Sequence, residues 1–268
     1  MYVTYLVAPK QGFTVAECED AVCVLPEASF DEIVTGPVAL SVCDGATESV
    51  LAKDWAHILA STSTAKALAD SKYFELERAF EDFAADVVSR WDPWVAIYSS
   101  NRAAAGRPLK WYEQAKLQGS TFSTLLTVLI TPTKLSEWRW QAAALGDSCI
   151  FHIRDNLPLT KFPVQSLEEF GTNPDLFGSR NHDTALLAER TRYIEGVCVS
   201  GDRLLLMSDA LAAWFLAADD PSSALSELLE FGGPYDATKF SDWLDTLRAR
   251  HELRNDDVAL IRIDFEGR

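Results

Sequence analysis

The sequence has no run of about 20 apolar residues, the length a helix needs to cross a bilayer, so no membrane span is expected. No charged leader followed by an apolar stretch opens it, and a cytoplasmic protein is the default reading. Positive charge is scarce: 24 Lys and Arg stand against 40 Asp and Glu, a net −16. An acidic surface repels nucleic-acid backbone and anionic lipid, so neither nucleic acid nor membrane is expected as a partner. A phosphorylated substrate stays open, because a bound cation inverts the local field. The five cysteines (Cys18, Cys23, Cys43, Cys149 and Cys198) include no CxxC pair. They read as buried thiols of a reducing compartment rather than disulfides or zinc ligands. GxSxG, P-loop and GxGxxG motifs are all missing, so serine-hydrolase, NTPase and dinucleotide chemistry find no support.

Core material, by contrast, is ample, with 48% of residues hydrophobic. Short apolar runs at 2–8, 21–25 and 37–43 read as strands, the first as an edge strand. Helical spacing begins at Thr47 and returns over residues 73–98, where Phe74, Leu76, Phe80, Phe83 and Val87 share a side and Pro93 is expected to break or bend the helix. Residues 121–131, 137–145 and 149–154 look like an antiparallel meander. Residues 162–192 mix Pro163, Gly171, Pro174 and Gly178 with charges and read as irregular or partly helical. Strands at 194–199 and 203–207, helices at 211–218, 222–229 and 237–250, and a last strand at 258–265 complete the chain. Strands and helices come in blocks, an α+β order. No repeat and no shift in composition divides residues 1–268, so a single domain is expected.

The informative pattern is where the acids fall. Asp44 follows an apolar strand and precedes Gly45; Asp209 follows Leu204–Met207 in the same way. Asp256 and Asp257 precede the last strand, Asp147 sits in a Gly-Asp-Ser turn, and Glu19 and Asp20 precede the strand at Ala21. Carboxylates on strand rims can project from a rigid backbone into one cleft. Gathered there, like charges are unfavourable unless protonated or neutralised, and hard divalent cations with oxygen ligands answer that need. The plainer alternative is that Asp-Gly makes tight turns and that an acidic chain has acids at many strand ends.

Six segments, "ECEDAV", "VCDGATES", "GSTFSTLLTVLI", "LGDSCIFHIR", "LLLMSDALAAWFL" and "NDDVALIRI", resemble in order the motifs of the type 2C Ser/Thr protein phosphatases, in their bacterial branch. The resemblance covers nearly the whole chain. It implies a four-layer αββα sandwich, two mostly antiparallel sheets flanked by helices, with residues 162–192 as the family's flap. It further implies two Mn2+ or Mg2+ ions and a candidate third. Asp44 would bridge the pair, Gly45 would offer its carbonyl, and Asp209 and Asp256 would hold the first ion. Glu19 or Asp20 would serve the second, and Asp147 is the candidate for a third. The implied activity is hydrolysis of phosphoserine or phosphothreonine in proteins by a metal-activated water, in bacterial signalling, with a cognate Ser/Thr kinase as a further partner. Two departures matter: Val15 stands where many relatives have a phosphate-binding Arg, and Ala46 where many have His or Met. They favour the alternative of a catalytically impaired relative serving as a binding module. Lys10 lies nearby in sequence with no assigned place. Ala210 and Asp257 replace the usual Gly and Asn without removing a ligand carboxylate.

His57, on a helix, reads as structural; His152 lies in a strand, His251 at a helix end, and His182 in the 162–192 segment beside Arg180, Arg190 and Arg192.

Overall fold

The structure is a computed structural model, and it describes all residues except Ala28, Phe30, Leu76, Leu135, Thr172, Asn173 and 266–268. Leu76, assigned above to the second helix, therefore lies outside the described residues. The strands are β1 (Tyr2–Ala8), β2 (Ala21–Leu25), β3 (Val38–Cys43), β4 (Phe122–Ser123), β5 (Leu125–Lys134), β6 (Glu137–Leu145), β7 (Cys149–Arg154), β8 (Leu157–Phe162), β9 (Phe177–Gly178), β10 (Arg192–Val199), β11 (Arg203–Met207) and β12 (Val258–Asp264). The helices are α1 (Ala52–Ala69), α2 (Glu77–Ala104), α3 (Trp111–Leu117), α4 (Thr184–Arg190), α5 (Asp209–Ala217), α6 (Pro221–Leu229) and α7 (Ala237–Ala249).

One sheet has the order β1-β12-β11-β7-β8, the other β10-β6-β5-β3-β2. Every pairing in them is antiparallel. Their strands are apolar at successive positions because both faces are covered. In β11, Leu204 and Leu206 meet Val38, Leu40, Val128 and Ile261 between the sheets. Leu205 and Met207 face Leu211, Phe215, Leu225 and Leu244 of α5, α6 and α7. On the far side, Ala39 and Cys43 pack with Trp55, Leu59, Phe80, Phe83 and Val87 of α1 and α2, and with Leu187 of α4. The result is the expected αββα sandwich, with β1 at an edge.

Several local expectations change. The presumed meander is not one sheet: β5 and β6 pair, but at Gly146 the chain crosses to the other sheet and β7 pairs β11. Gly146 has φ +106°, and a Cβ there would lie 2.7 Å from Thr124 Cγ2, so this turn requires glycine. Residues 121–131 divide into β4 and β5. Residues 46–51 form turns rather than the start of α1: Ala46 N donates to Phe122 O at 2.9 Å, and Leu51 has φ 65°. Pro93 does not end α2, which runs 28 residues in all, from Glu77 to Ala104. Trp91 and Trp94 stack across it at 5.4 Å, and Trp94 stacks on Tyr98 at 5.5 Å, holding both halves to one face. The short α3 was not anticipated; its exposed Trp111 and Tyr112 give no amphipathic repeat to read. The 162–192 segment is partly helical, as expected, and is pinned by Phe177, fully buried against Trp55.

All five cysteines are free; Cys23 is half-buried and the other four are buried. His152, in β7, is buried 2.9 Å from Asp202, whose carboxylate also accepts from Arg154 Nε and Nη2 at 2.9 and 2.6 Å and from Val199 N at 2.9 Å. Burial works against this carboxylate, yet Arg154, the Val199 amide and His152 hold it below the usual range. Asp202→Ala is expected to cost about 3 kcal/mol in chemical denaturation, because it strands an arginine and a buried imidazole at once. A loss under about 0.5 kcal/mol would mean that the knot adds nothing to stability.

Candidate metal centre

Strand register builds the site. Ala21 pairs Cys43, so Asp20 and Asp44 leave β2 and β3 at the same end. In the other sheet Met207 pairs both Cys149 and Leu260, which sets Asp147, Asp209 and Asp256 at matching ends of β7, β11 and β12. Leu125 pairs Leu145, so the crossing at Gly146 joins the two sheets at this same end. The five carboxylates Asp20, Asp44, Asp147, Asp209 and Asp256 thereby influence one another as a ring of like charge.

Their backbone is fixed. Asp44 N donates to Thr124 Oγ1 at 2.9 Å, Thr124 N donates to Asp44 O at 2.8 Å, and the Thr124 and Ser148 hydroxyls lie 2.8 Å apart. Gly45 packs so closely that a Cβ would sit 2.9 Å from the Ala52 and Glu19 backbone. Asp209 opens α5, where the helix dipole favours an anion. Asp257, buried, accepts from Lys10 N at 2.7 Å and Glu19 N at 2.8 Å, and so sets the approach to Asp20.

The electrostatics are unfavourable for bare carboxylates. Both Asp20 oxygens and Asp209 Oδ1 are buried without a hydrogen-bond partner. Burial, then the charges of Asp209, Asp257 and Asp256, push Asp20 well above the usual carboxylate range; the Ser208 hydroxyl lies close enough to oppose this but is not placed to donate a hydrogen bond. Burial and then Asp20, Asp209, Asp256 and Asp147 raise Asp44. Burial and Asp209 push Asp147 up to about 6. Burial and Asp209 raise Asp256 against the pull of Arg254 and Lys10. Orphaned buried oxygens in a ring of acids fit hard divalent cations.

Glu19 stands apart from Asp20: its carboxylate is held by Lys10 Nζ at 3.1 Å. Lys10 Nζ also reaches Thr47 Oγ1 at 3.3 Å, which places the lysine at the rim. Val15 is 67% exposed. Arg254, not singled out from sequence, lays Nη2 on Asp209 Oδ2 and on Asp256 Oδ2, the latter at 3.0 Å. Its place two residues before Asp256 was the only available signal. Arg180, Arg190 and Arg192 are engaged with Asp92, Asp175 and the Pro163 carbonyl. The ring opens into a cleft of about 650 Å³ whose other walls include Ser49, Lys116, Phe122 and Leu176. His152, Cys198 and Asp202 also bring ligand-type atoms within 4.8 Å, but Arg154 already neutralises Asp202, so a cation has little to gain there.

No protein-family model matches the chain, and no curated protein does. Solved structures do. The catalytic domain of the serine threonine protein phosphatase PstP, in complex with 2 manganese ions, matches with TM-score 0.55 at 17% identity over 98% of each chain. A bacterial serine phosphatase matches with TM-score 0.53 at 16% identity, over 100% of this chain and 99% of that one. A phosphatase from a pathogenic strain of Toxoplasma gondii matches with TM-score 0.61 at 13% identity, over 100% and 94%. The architecture is thus the sandwich that these phosphatases share. More narrowly, it is the fold of the type 2C Ser/Thr phosphatases.

Proposed function

We propose that the chain is a metal-dependent phosphatase that hydrolyses phosphoserine or phosphothreonine in proteins, with a Ser/Thr kinase system as its setting. The observation that carries this reading is the set of buried, unpartnered oxygens of Asp20 and Asp209 within the acid ring. Asp44 would bridge two ions, Mn2+ or Mg2+, with Gly45 offering its carbonyl. Asp209 and Asp256 would hold the first, Asp20 the second through direct or water-mediated contact, and Asp147 a third. The ions supply Lewis acidity and an activated water. The chain's part is to fix the carboxylates through Thr124, Ser148 and Asp257, and to keep one face open to the cleft. The test is hydrolysis of p-nitrophenyl phosphate and a phosphothreonine peptide with added Mn2+, against EDTA. Folded, Mn2+-binding protein with no turnover of either substrate would overturn the reading.

Arg254 has a definite effect here. Its guanidinium occupies oxygens that the first ion needs, so the two cations compete. Arg254→Ala is expected to tighten Mn2+ binding about tenfold in calorimetric titration, the scale of one displaced charge-assisted pair. Weaker binding would mean that Arg254 orders the ligands instead. The same contact, together with Val15, favours the second reading, a catalytically impaired phosphatase fold that serves as a binding module.

A further inference from the structure

Beside the cleft lies a second, smaller cavity of about 200 Å³ between the end of α2 and α3. Val50 and Lys116 line both spaces, so the two adjoin. Its walls are Leu109, Tyr112 and Leu117, with Tyr98 and Arg102 at the α2 side and Glu113 paired to Arg102. The volume is below the roughly 300 Å³ at which small-molecule sites begin, but suits one large apolar side chain. Arg102 cannot swing across it freely: Nη1 is tied to Glu113 at 3.2 Å and Nε to the Arg107 carbonyl at 3.1 Å.

Charge singles this surface out. The chain carries −16, yet residues 101–118 hold Arg102, Arg107, Lys110 and Lys116 against the single acid Glu113, a net +3. Trp111 is 81% exposed and Tyr112 45%, with Lys110 Nζ 5.7 Å from the Tyr112 ring centroid. A mainly apolar socket with aromatic walls and a basic rim, adjoining the acid ring's cleft, is suited to seat an anchor side chain.

We propose that the α2–α3 corner docks the substrate: a phosphorylated, acidic protein segment that places one large apolar side chain, Leu or Phe, in the Leu109–Tyr112 socket while its phosphoresidue lies in the cleft. The inference rests on the phosphatase reading above. Acidic residues of the segment meet Arg107, Lys110 and Lys116, so the corner offsets the repulsion that an acidic substrate meets elsewhere on this protein.

The test separates the two claims. Fluorescence anisotropy measures binding of labelled, Glu-flanked phosphothreonine peptides to the full chain carrying Asp44→Asn, which removes turnover. The peptides carry a single Leu at successive positions or Ala throughout. One Leu position is expected to bind about tenfold tighter than the all-Ala peptide. Adding Tyr112→Ala or Leu109→Asp should erase that gain, and Lys110→Glu should weaken every acidic peptide. With Asp44 intact, Leu109→Asp should leave p-nitrophenyl phosphate hydrolysis unchanged, since Leu109 does not line the cleft. Equal affinity for all peptides, or a Leu gain that survives Tyr112→Ala and Leu109→Asp, overturns the docking corner. Absent hydrolysis of the small ester by the native chain overturns the phosphatase reading alone, because the anisotropy result needs no turnover.

Discussion

Asp44→Asn is expected to lower Mn2+-dependent hydrolysis of p-nitrophenyl phosphate at least about a thousandfold, or about 4 kcal/mol of transition-state stabilisation. The amide keeps the shape of the side chain, and the Asp44 backbone stays clamped by Thr124, so the change is one of charge and ligand strength. A residue proposed to bridge two cations would lose both contacts together. Stability should move the opposite way. Burial and four neighbouring acids make the bare Asp44 carboxylate unfavourable, so in EDTA the variant should melt higher than the native chain. Slower turnover in a protein that is more stable without metal excludes misfolding as the cause. Turnover within tenfold of native, in variant protein of unchanged fold, would remove Asp44 from the centre.

The second large effect is a reversal of pH dependence by metal. Asp20, Asp44, Asp147 and Asp256 are all raised above their ordinary values. A raised carboxylate binds its proton more tightly folded than unfolded, so the folded state holds extra protons between the two values. Stability contributed by that proton is present at low pH and lost as pH rises through the folded value. For Asp147 the window runs from about 4 to about 6, and its share is on the order of 3 kcal/mol. In EDTA the melting temperature should therefore fall between pH 5 and pH 7.5, by about 2–4 °C per kcal/mol for a chain near this size. Saturating Mn2+ should flatten or invert the slope, because cations replace protons on the same oxygens and bind better as pH rises. Differential scanning fluorimetry at three pH values, with Asp147→Asn as control, reads this directly. Parallel slopes with and without Mn2+ would show that the ring is not where the metal binds.

Why these carboxylates were legible in the sequence, and others were not, follows from what fixes them. Asp44, Asp209 and Asp256 each adjoin an apolar strand, so a strand-end position was readable one residue at a time. That the ends coincide depends on register, such as Ala21 against Cys43 and Met207 against Leu260, which no local pattern encodes. Glu19 is set apart from Asp20 by its ion pair with Lys10, nine residues away and on no shared element. Arg254 reaches Asp209 across 45 residues of sequence, and its place two residues before Asp256 was the one local mark it carried. The crossing from β6 to β7 was misread as a meander because a Gly-Asp turn serves a hairpin and a change of sheet equally well. The start of α1 was misread because residues 46–51 have helical spacing but are recruited by Phe122 into the cleft wall.

The Asp257 contacts have a consequence for biosynthesis. Its carboxylate joins Lys10 and Glu19 across 247 and 238 residues, and it sits at the mouth of β12, an interior strand of its sheet. In sequence β12 follows both flanking strands and every other described strand, so a ribosome delivers it after most of the sandwich already exists. Until it inserts between β1 and β11, Asp256 is away from the ring and the loop that carries Asp20 lacks its tie to Asp257. A nascent chain can therefore collapse around most of its core while the acid ring is still one carboxylate short. The acid ring thus closes only once β12 has joined its sheet.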